Sequence, residues 1–576
     1  MVPRPVRSRR DDIAMQTGSP TAATRRVRHV KRADSQSAPV LLIALVVALA
    51  FSAVAAQVLR FALFSRSTGQ RANLAEPLVR AYARPDIVDR KGRLLATDLA
   101  THSLFADPTQ IIDVDETSEL IASILTDLDR AELRASLADR SRRFVWIKRQ
   151  LGPAEAQSVH DLGLPGISFR TEPRRIYPQG RMAGHVLGHV SIDNRGMAGI
   201  ERYVDETQGL ESGFSADFSR PPITLTLDIG AQHALEEELS LAVAQFGAAG
   251  AAGVILDVNN GRVLAAASLP DLDPARPVES LLANRMDRLN TATYELGSVM
   301  KIFTVAMALE QGLATPGTIL DVRVPLQVGR WTIRDIVQSG RPLTLREVLI
   351  QSSNIGVAQL ALRAGAGRQR DFLSHAGLLN QIRLETGLLG QPRIPEKWGE
   401  IETATIAYGY GLAVSPMQFA TAAASLVNGG TRVRPQLVAT QGLLPANAEP
   451  AQSAAVESQR IVSEKTTAAM RDMLRRVVAQ PNGTGRRADA PGFEVGGKTG
   501  TAEIAARGSY HAKSVVATFF AAFPMSAPRY VVLVSLFEPK PDAGDAAKRI
   551  TAGVNAAPIA GRVIARTAAL LGVPPK

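Results

Sequence analysis

Ser298-Val299-Met300-Lys301 is the stretch on which the reading of this chain turns, because Ser352-Ser353-Asn354 and Lys498-Thr499-Gly500-Thr501 follow it in that order. A serine hydroxyl is a poor nucleophile at its own pKa and needs a base within hydrogen-bond reach. Residues three apart on a helix share a face, so Lys301 can serve Ser298 within one turn. Residues 299–309 are apolar on nearly every side, which predicts a buried helix with Gly312 at its C-terminal end. Only the N-terminus of that helix has to be reached by a substrate. There the helix dipole and the Ser298 backbone N–H favour a developing oxyanion. Lys301, the only charge in the run, is expected to lose proton affinity by desolvation, as suits a general base. Taken alone, S-x-x-K is a weak signal, equally explained by a snorkelling lysine at an ordinary helix start.

The two later motifs change that balance. Ser352 and Asn354 stand before another helix-like run, 355–362, where Ser and Asn are also common caps. As chemistry, Ser352 can relay a proton between Lys301 and a leaving amine, and Asn354 can hydrogen-bond a substrate amide. Gly496-Gly497-Lys498-Thr499-Gly500-Thr501 follows a strand-like segment, 493–495. Glycines within a strand admit close approach by a ligand or another backbone. Lys498 is expected to supply a fixed positive charge for a substrate carboxylate, with the Thr501 hydroxyl as a second donor. Other chemistries lack their residues. There is no G-x-S-x-G elbow. His185 and His189 have Val186 where a zinc protease needs Glu, and Gly247, Gly250 and Gly253 lack the Lys-Ser/Thr of a phosphate loop.

At 576 residues the chain is expected to form two or more domains. With 45% hydrophobic and 21% charged residues it reads as globular. It has no cysteine, which excludes disulfides and thiolate metal sites. The net charge of +12 is unevenly placed: residues 1–34 hold nine basic and three acidic residues, or +6. No charge occurs between Ser35 and Leu59, and the twenty residues 40–59 are apolar except for Ser52 and Gln57. At about 1.5 Å per residue they span about 30 Å, the hydrocarbon core of a bilayer. A cleaved signal peptide has an apolar core of only about 7–15 residues. Here the run continues past the small-residue pattern Ala53-Val54-Ala55 to Phe64, interrupted only by Arg60. Residues 1–38 are therefore read as a disordered cytoplasmic tail, and 39–60 as a transmembrane anchor with the rest of the chain outside. The tail's arginines act as topology determinants and not as a nucleic-acid site.

Residues 86–96 read as strand, a turn at Lys91-Gly92, and strand; 115–160 as helices with polar breaks; and 167–180 as extended. A boundary falls near Ser219-Arg220-Pro221-Pro222, followed by a strand pattern at 223–228 and an amphipathic helix at 232–244. Asn259-Asn260-Gly261 predicts a hairpin between 252–257 and 263–268, and 514–523 with 530–537 predicts another. Helical patterns fill 297–312, 343–364, 416–428 and 463–479. Strands at both ends with helices between them predict one sheet closed by N- and C-terminal strands, an α+β catalytic domain.

At this point the chain resembles the class B penicillin-binding proteins, membrane-anchored peptidoglycan D,D-transpeptidases. Beyond the three motifs, the resemblance rests on Asp89-Arg90-Lys91-Gly92-Arg93, Arg175-Ile176-Tyr177-Pro178, Gly196-Met197-Ala198-Gly199-Ile200-Glu201, Tyr294-Glu295 and Gly409-Tyr410-Gly411. It implies an elongated pedestal of the dimerisation type at 61–218. A β-lactamase-like transpeptidase domain, its central antiparallel sheet flanked by helices, would occupy 219–576. It also implies that Ser298 attacks the penultimate D-Ala carbonyl of a stem peptide, with Lys301, Ser352 and Asn354 catalytic. Lys498, Thr499, Gly500 and Thr501 would bind substrate, and the N–H groups of Ser298 and Thr501 would form the oxyanion hole. β-Lactams would acylate the same serine. No cofactor or metal is expected. Among subfamilies the chain looks most like the cell-division enzyme, with a polytopic septal glycosyltransferase and other division proteins as partners in the inner membrane. The alternatives are an elongation enzyme or a non-catalytic β-lactam sensor or scaffold. Two positions depart from the family pattern: Leu296 stands where Pro is usual, and Arg84-Pro85 where Arg-Gly is usual.

Overall fold

The computed structural model describes residues 84–208, 221–439, 459–506, 509–541 and 550–576, with six positions between 45 and 53. The chain divides into two units, Met1–Leu78 and Val79–Lys576. Of the expected anchor at 39–60, only Leu45, Ala48, Leu49, Phe51, Ser52 and Ala53 are described, and all six are helical. Among the described residues no helix is long and apolar enough to cross a membrane. The expected tail at 1–38 and the boundary near 219 lie outside the described residues.

Near the start of the second unit Asp89 organises a turn. Its carboxylate accepts from the N–H groups of Lys91 and Arg93 at 2.8 and 2.9 Å, and Gly92 takes φ +78°. This turn joins β1 (Ile87–Val88) to the antiparallel β2 (Leu94–Ala106), as the sequence predicts. Two helices follow, α1 (Val114–Ile124) and α2 (Arg130–Ala138), each N-capped by an aspartate, Asp113 and Asp129. The next element departs from the helical reading of 115–160: β3 (Val145–Leu151) is a strand pairing with β2. Its β-branched and aromatic start, Val145-Trp146-Ile147, favours a pleated edge, and the helical pattern resumes only at α3 (Pro153–Asp161). The extended segment is β4 (Ile167–Ile176), on the other side of β2. The strand pattern at 223–228 shortens to β5 (Ile223–Thr224), parallel to β1, so the chain entering the catalytic half is still stitched into the pedestal sheet.

The amphipathic helix α4 (Ile229–Phe246) leads to β6 (Gly250–Asp257) and β7 (Val263–Leu269), paired across the predicted Asn-Asn-Gly turn. Helices α5 (Lys301–Glu310), α6 (Leu345–Gln351), α7 (Asn354–Ala364), α8 (Pro416–Ala424) and α9 (Glu464–Ala479) occupy the middle, with a small hairpin of β8 (Leu326–Val328) and β9 (Trp331–Ile333). The sheet is completed by β10 (Gly496–Ala506), β11 (Ser509–Phe523) and β12 (Tyr530–Phe537), and closed off by α10 (Ala556–Thr567). The strand order is β10-β11-β12-β6-β7, antiparallel throughout, so N- and C-terminal strands meet at β12–β6.

Both faces of this sheet are covered. Val254, Phe520, Val531 and Leu533 pack with Phe303 and Phe419 on one side. Ile255, Phe519, Val532 and Val534 pack with Leu235, Leu239, Ile559 and Val563 on the other. Burial on two faces is why 514–523 and 530–537 read as unbroken apolar runs and not as alternating ones. Among the described residues β10 pairs with β11 alone, and its other edge lies against the Gly297 turn.

Candidate active site

Gly297–Met300 forms a single 3-10 turn that runs directly into α5. Side chains at i and i+3 eclipse in this geometry, so Ser298 and Lys301 align more closely than in the α-helical turn the sequence predicts. Lys301 Nζ lies 3.0 Å from Ser298 Oγ. Ser298 is also the one residue from 296 to 308 that is not buried. The helix ends beyond Glu310, with Gly312 at φ +67° in the expected place.

Backbone packing seats this turn. A Cβ on Gly297 would lie 2.5 Å from the Thr501 carbonyl oxygen, one on Gly409 1.9 Å from the Gly297 carbonyl oxygen, and one on Gly500 2.3 Å from the Leu296 carbonyl oxygen. Only glycine fits three such approaches, and Gly297 and Gly409 also take positive φ. Since the Thr501 carbonyl faces the nucleophile's turn, its N–H faces the same way, because both groups of a residue in an antiparallel strand point to one edge. The Thr501 N–H therefore points from the strand edge toward the turn that carries Ser298.

Lys301 is fully buried, and its burial draws the pKa from 10.5 down to about 7, opposed by the charge of Asp335. Its Nζ touches four oxygens: Ser298 Oγ at 3.0 Å, Ser352 Oγ at 3.0 Å, the Ser352 carbonyl at 2.6 Å and Asn354 Oδ1 at 2.7 Å. The last two can only accept. They consume both N–H groups of a neutral amine and leave its lone pair for a hydroxyl proton. The lone pair then serves the Ser298 and Ser352 hydroxyls, each at 3.0 Å, so Lys301 is in place to act as the base for Ser298.

Ser352 ends α6 in the left-handed conformation, φ +64°. That conformation is strained for a residue with a side chain. The strain turns both its carbonyl and its hydroxyl toward Lys301. The predicted 343–364 helix breaks here into α6 and α7. Asn354 opens α7 with Oδ1 on Lys301 and Nδ2 on the Arg334 carbonyl at 3.0 Å, which leaves one amide proton for a substrate.

The third motif sits differently from the sequence expectation. The segment 493–495 is not a strand, since Glu494 takes φ +47°, and β10 starts at Gly496 with the motif inside it. Lys498 is fully buried, with Nζ donating to Ser352 Oγ at 2.9 Å and to the Thr499 carbonyl at 3.0 Å. Burial, and then the charge of Lys301, holds its pKa well below the usual lysine range. It is thus the far end of a Lys301–Ser352–Lys498 chain and not a cation standing free for a carboxylate. The outward donor is Thr501. Its Oγ1 accepts from the Ala552 N–H at 3.1 Å, which leaves the hydroxyl proton for a substrate oxygen. The Thr499 hydroxyl instead donates to Thr484 Oγ1 at 3.0 Å.

Residues 251–556 match the penicillin binding protein transpeptidase domain, and residues 81–212 match the penicillin-binding protein dimerisation domain. The chain belongs to the penicillin-binding protein transpeptidase family. It is 38% identical over 519 residues to the probable peptidoglycan D,D-transpeptidase FtsI of Caulobacter vibrioides, covering 89% of this chain and 85% of that one. It is 30% identical over 521 residues to the peptidoglycan D,D-transpeptidase FtsI of Escherichia coli, covering 86% and 84%. Penicillin binding protein 3 of Mycobacterium tuberculosis, in its apo form, shares the fold with a TM-score of 0.64 and 24% identity, over 86% of this chain and 97% of that structure.

Against this family background the two departures find their places. Leu296 is buried, with its carbonyl against Gly500. Arg84 is buried between Glu201 and Asp205. The structure brings Ser298, Lys301, Ser352, Asn354 and Lys498 into one hydrogen-bonded group, and it adds Asp335, which no motif marks. Its carboxylate accepts from Ser353 Oγ at 2.6 Å and from the N–H groups of Asn354 and Ile355 at 2.5 and 3.0 Å. One aspartate in a polar loop carries no motif.

Proposed function

We propose that this protein is the septal peptidoglycan D,D-transpeptidase of its cell. Residues 39–60 hold it in the cytoplasmic membrane, with the N-terminus inside and the catalytic domain in the periplasm. The observation that carries the chemistry is the place of Lys301 Nζ, 3.0 Å from Ser298 Oγ and flanked by two groups that can only accept, the Ser352 carbonyl and Asn354 Oδ1. Ser298 attacks the penultimate D-Ala carbonyl while Lys301 takes its proton. The tetrahedral oxyanion lies between the Ser298 and Thr501 N–H groups. The C–N bond then breaks, and the leaving D-Ala amine takes a proton passed along Lys301, Ser352 and Lys498. An amine from a neighbouring stem peptide attacks the acyl-enzyme and restores Ser298. A β-lactam enters by the same first step. The septal role draws on the two FtsI relatives. A polytopic glycosyltransferase contacting the anchor and pedestal, together with other division proteins, completes the assignment.

Fluorescent penicillin is expected to label the protein covalently, and Ser298→Ala to abolish labelling without lowering the melting temperature. Labelling that survived in the variant would overturn the mechanism. Depletion in the native cell is expected to give filaments, whereas rounded cells would reassign the enzyme to elongation.

A further inference from the structure

The hairpin β8–β9 is nailed to the core by Val328 and Ile333, both buried, and the loop that leaves it carries Arg334 and Asp335. From this loop two groups clamp one residue. The Arg334 carbonyl accepts from Asn354 Nδ2, and Asp335 accepts from the Asn354 and Ile355 N–H groups while also taking the Ser353 hydroxyl proton. Ser353 Oγ in turn accepts from Gly356 N–H at 3.0 Å. The first free N–H groups of α7 are thus divided between a local cap and a carboxylate from 18 residues upstream of Ser353. The residue locked in this way is the one whose Oδ1 takes a Lys301 N–H. Just before it, Ser352 holds a strained conformation with its carbonyl on the same amine.

We propose that Asp335 is a positioning residue for acylation: its carboxylate locks Ser352-Ser353-Asn354 against Lys301 and sets a negative charge facing the catalytic amine. The proposal rests on the acyl-enzyme reading above. Two titratable groups face Lys301 from the elements around it. Lys498 on β10 disfavours a second ammonium, and Asp335, beyond Asn354, favours one. The remaining contacts, Ser298, Ser352 and Asn354, are neutral.

The two duties separate in two variants. Asp335→Asn keeps an oxygen for the Asn354 and Ile355 N–H groups, puts a donor where Oδ2 accepted from Ser353 Oγ, and removes the charge. Asp335→Ala removes oxygen and charge alike. The measurement is the second-order rate of acylation by fluorescent penicillin from about pH 5.5 to 9, normalised to folded protein, beside thermal melting. In the wild type the rate rises with pH as Lys301 loses its proton. Without the neighbouring carboxylate the ammonium is less stable, so Asp335→Asn is expected to move this rising limb to lower pH by a few tenths of a unit to about one unit. Asp335→Ala is expected to lower the alkaline plateau about tenfold or more, because the acceptors on Lys301 lose their register. A lost helix cap alone would lower melting and leave the limb where it was. A limb in Asp335→Asn that superposes on the wild type overturns the proposal, whether or not Asp335→Ala folds. A wild type that is not labelled at any pH overturns instead the acyl-enzyme reading.

Discussion

The pedestal and the catalytic domain each hold a pair of long cations at 5% exposure or less, with opposite consequences. In the pedestal, the side chains of Arg84 and Arg175 are at most 1% exposed, and both lie against Glu201, at 2.8 and 2.7 Å. Asp205 and Asp98 complete the set. Burial opposes the charge on Arg175, but Glu201 and Asp98 outweigh it and lift its pKa above the ordinary value. In the catalytic domain Lys301 and Lys498 are equally buried, yet their Nζ atoms touch only hydroxyl, carbonyl and amide oxygens. There burial wins, and both amines are driven toward the neutral form. A buried cation with a carboxylate in contact is a fastener. A buried lysine offered only neutral acceptors is a base in waiting.

The comparison is most severely tested at Lys301. Replacement by methionine removes the base and is expected to slow penicillin acylation by about 10²–10⁴-fold. The same change removes a desolvated amine, so melting is expected to rise, as for other functional groups held at a cost to stability. The pH dependence has a definite sign. Between pH 7 and 10.5 the unfolded chain binds a proton at this lysine that the folded chain does not. Stability from this group therefore rises with pH across that window and is lost as pH falls through about 7. The wild type minus Lys301→Met difference in melting temperature is expected to shrink as pH rises from 7 to 10. A difference that does not depend on pH would show that the lysine is not buried in the way described.

Glu201 tests the other half. Glu201→Ala leaves two guanidinium groups buried without their shared carboxylate, and is expected to cost about 3–5 kcal/mol of stability in denaturant unfolding. The acylation rate per folded molecule should not change. If acylation fell in step with stability, the pedestal would have to be counted as part of the catalytic machinery.

How much of this contrast was legible in the sequence follows from what each feature depends on. Ser298, Lys301, Ser352, Asn354 and Lys498 are readable because their chemistry requires particular residue types at particular spacings. Whether Lys498 meets solvent or Ser352 is another matter. It depends on which side of an edge strand buries it, and the glycine-rich run 496–500 carries no periodicity to say. β3 was hidden because Lys148 and Arg149 interrupt its apolar pattern; their partners, Asp127, Glu155 and Glu172, come from elsewhere in the fold. Asp335 was hidden for the same reason: its meaning lies entirely in what the hairpin brings it against. The core hairpins, by contrast, were readable because burial on both faces leaves runs that can be little else.

The smallest expected effect lies between the two extremes, at the turn where the pedestal meets α4. Asp228 is buried, but its partners Arg90, Lys91 and Arg93 are 30–47% exposed. Burial alone would raise its pKa, yet Lys91 and Arg90 bring it down to about 2. The acid is therefore held by several cations that are each also held by water. Removing one of them leaves Asp228 with the other two and with the Gly230 and Ala231 N–H groups at the start of α4. Lys91→Ala is thus expected to cost less than about 1 kcal/mol in denaturant unfolding, as for exposed ion pairs generally, and to leave acylation unchanged. Should it instead cost as much as Glu201→Ala, pairing alone would decide the worth of an ion pair in this fold. The role given above to burial, at Glu201 and at Lys301 alike, would then fail.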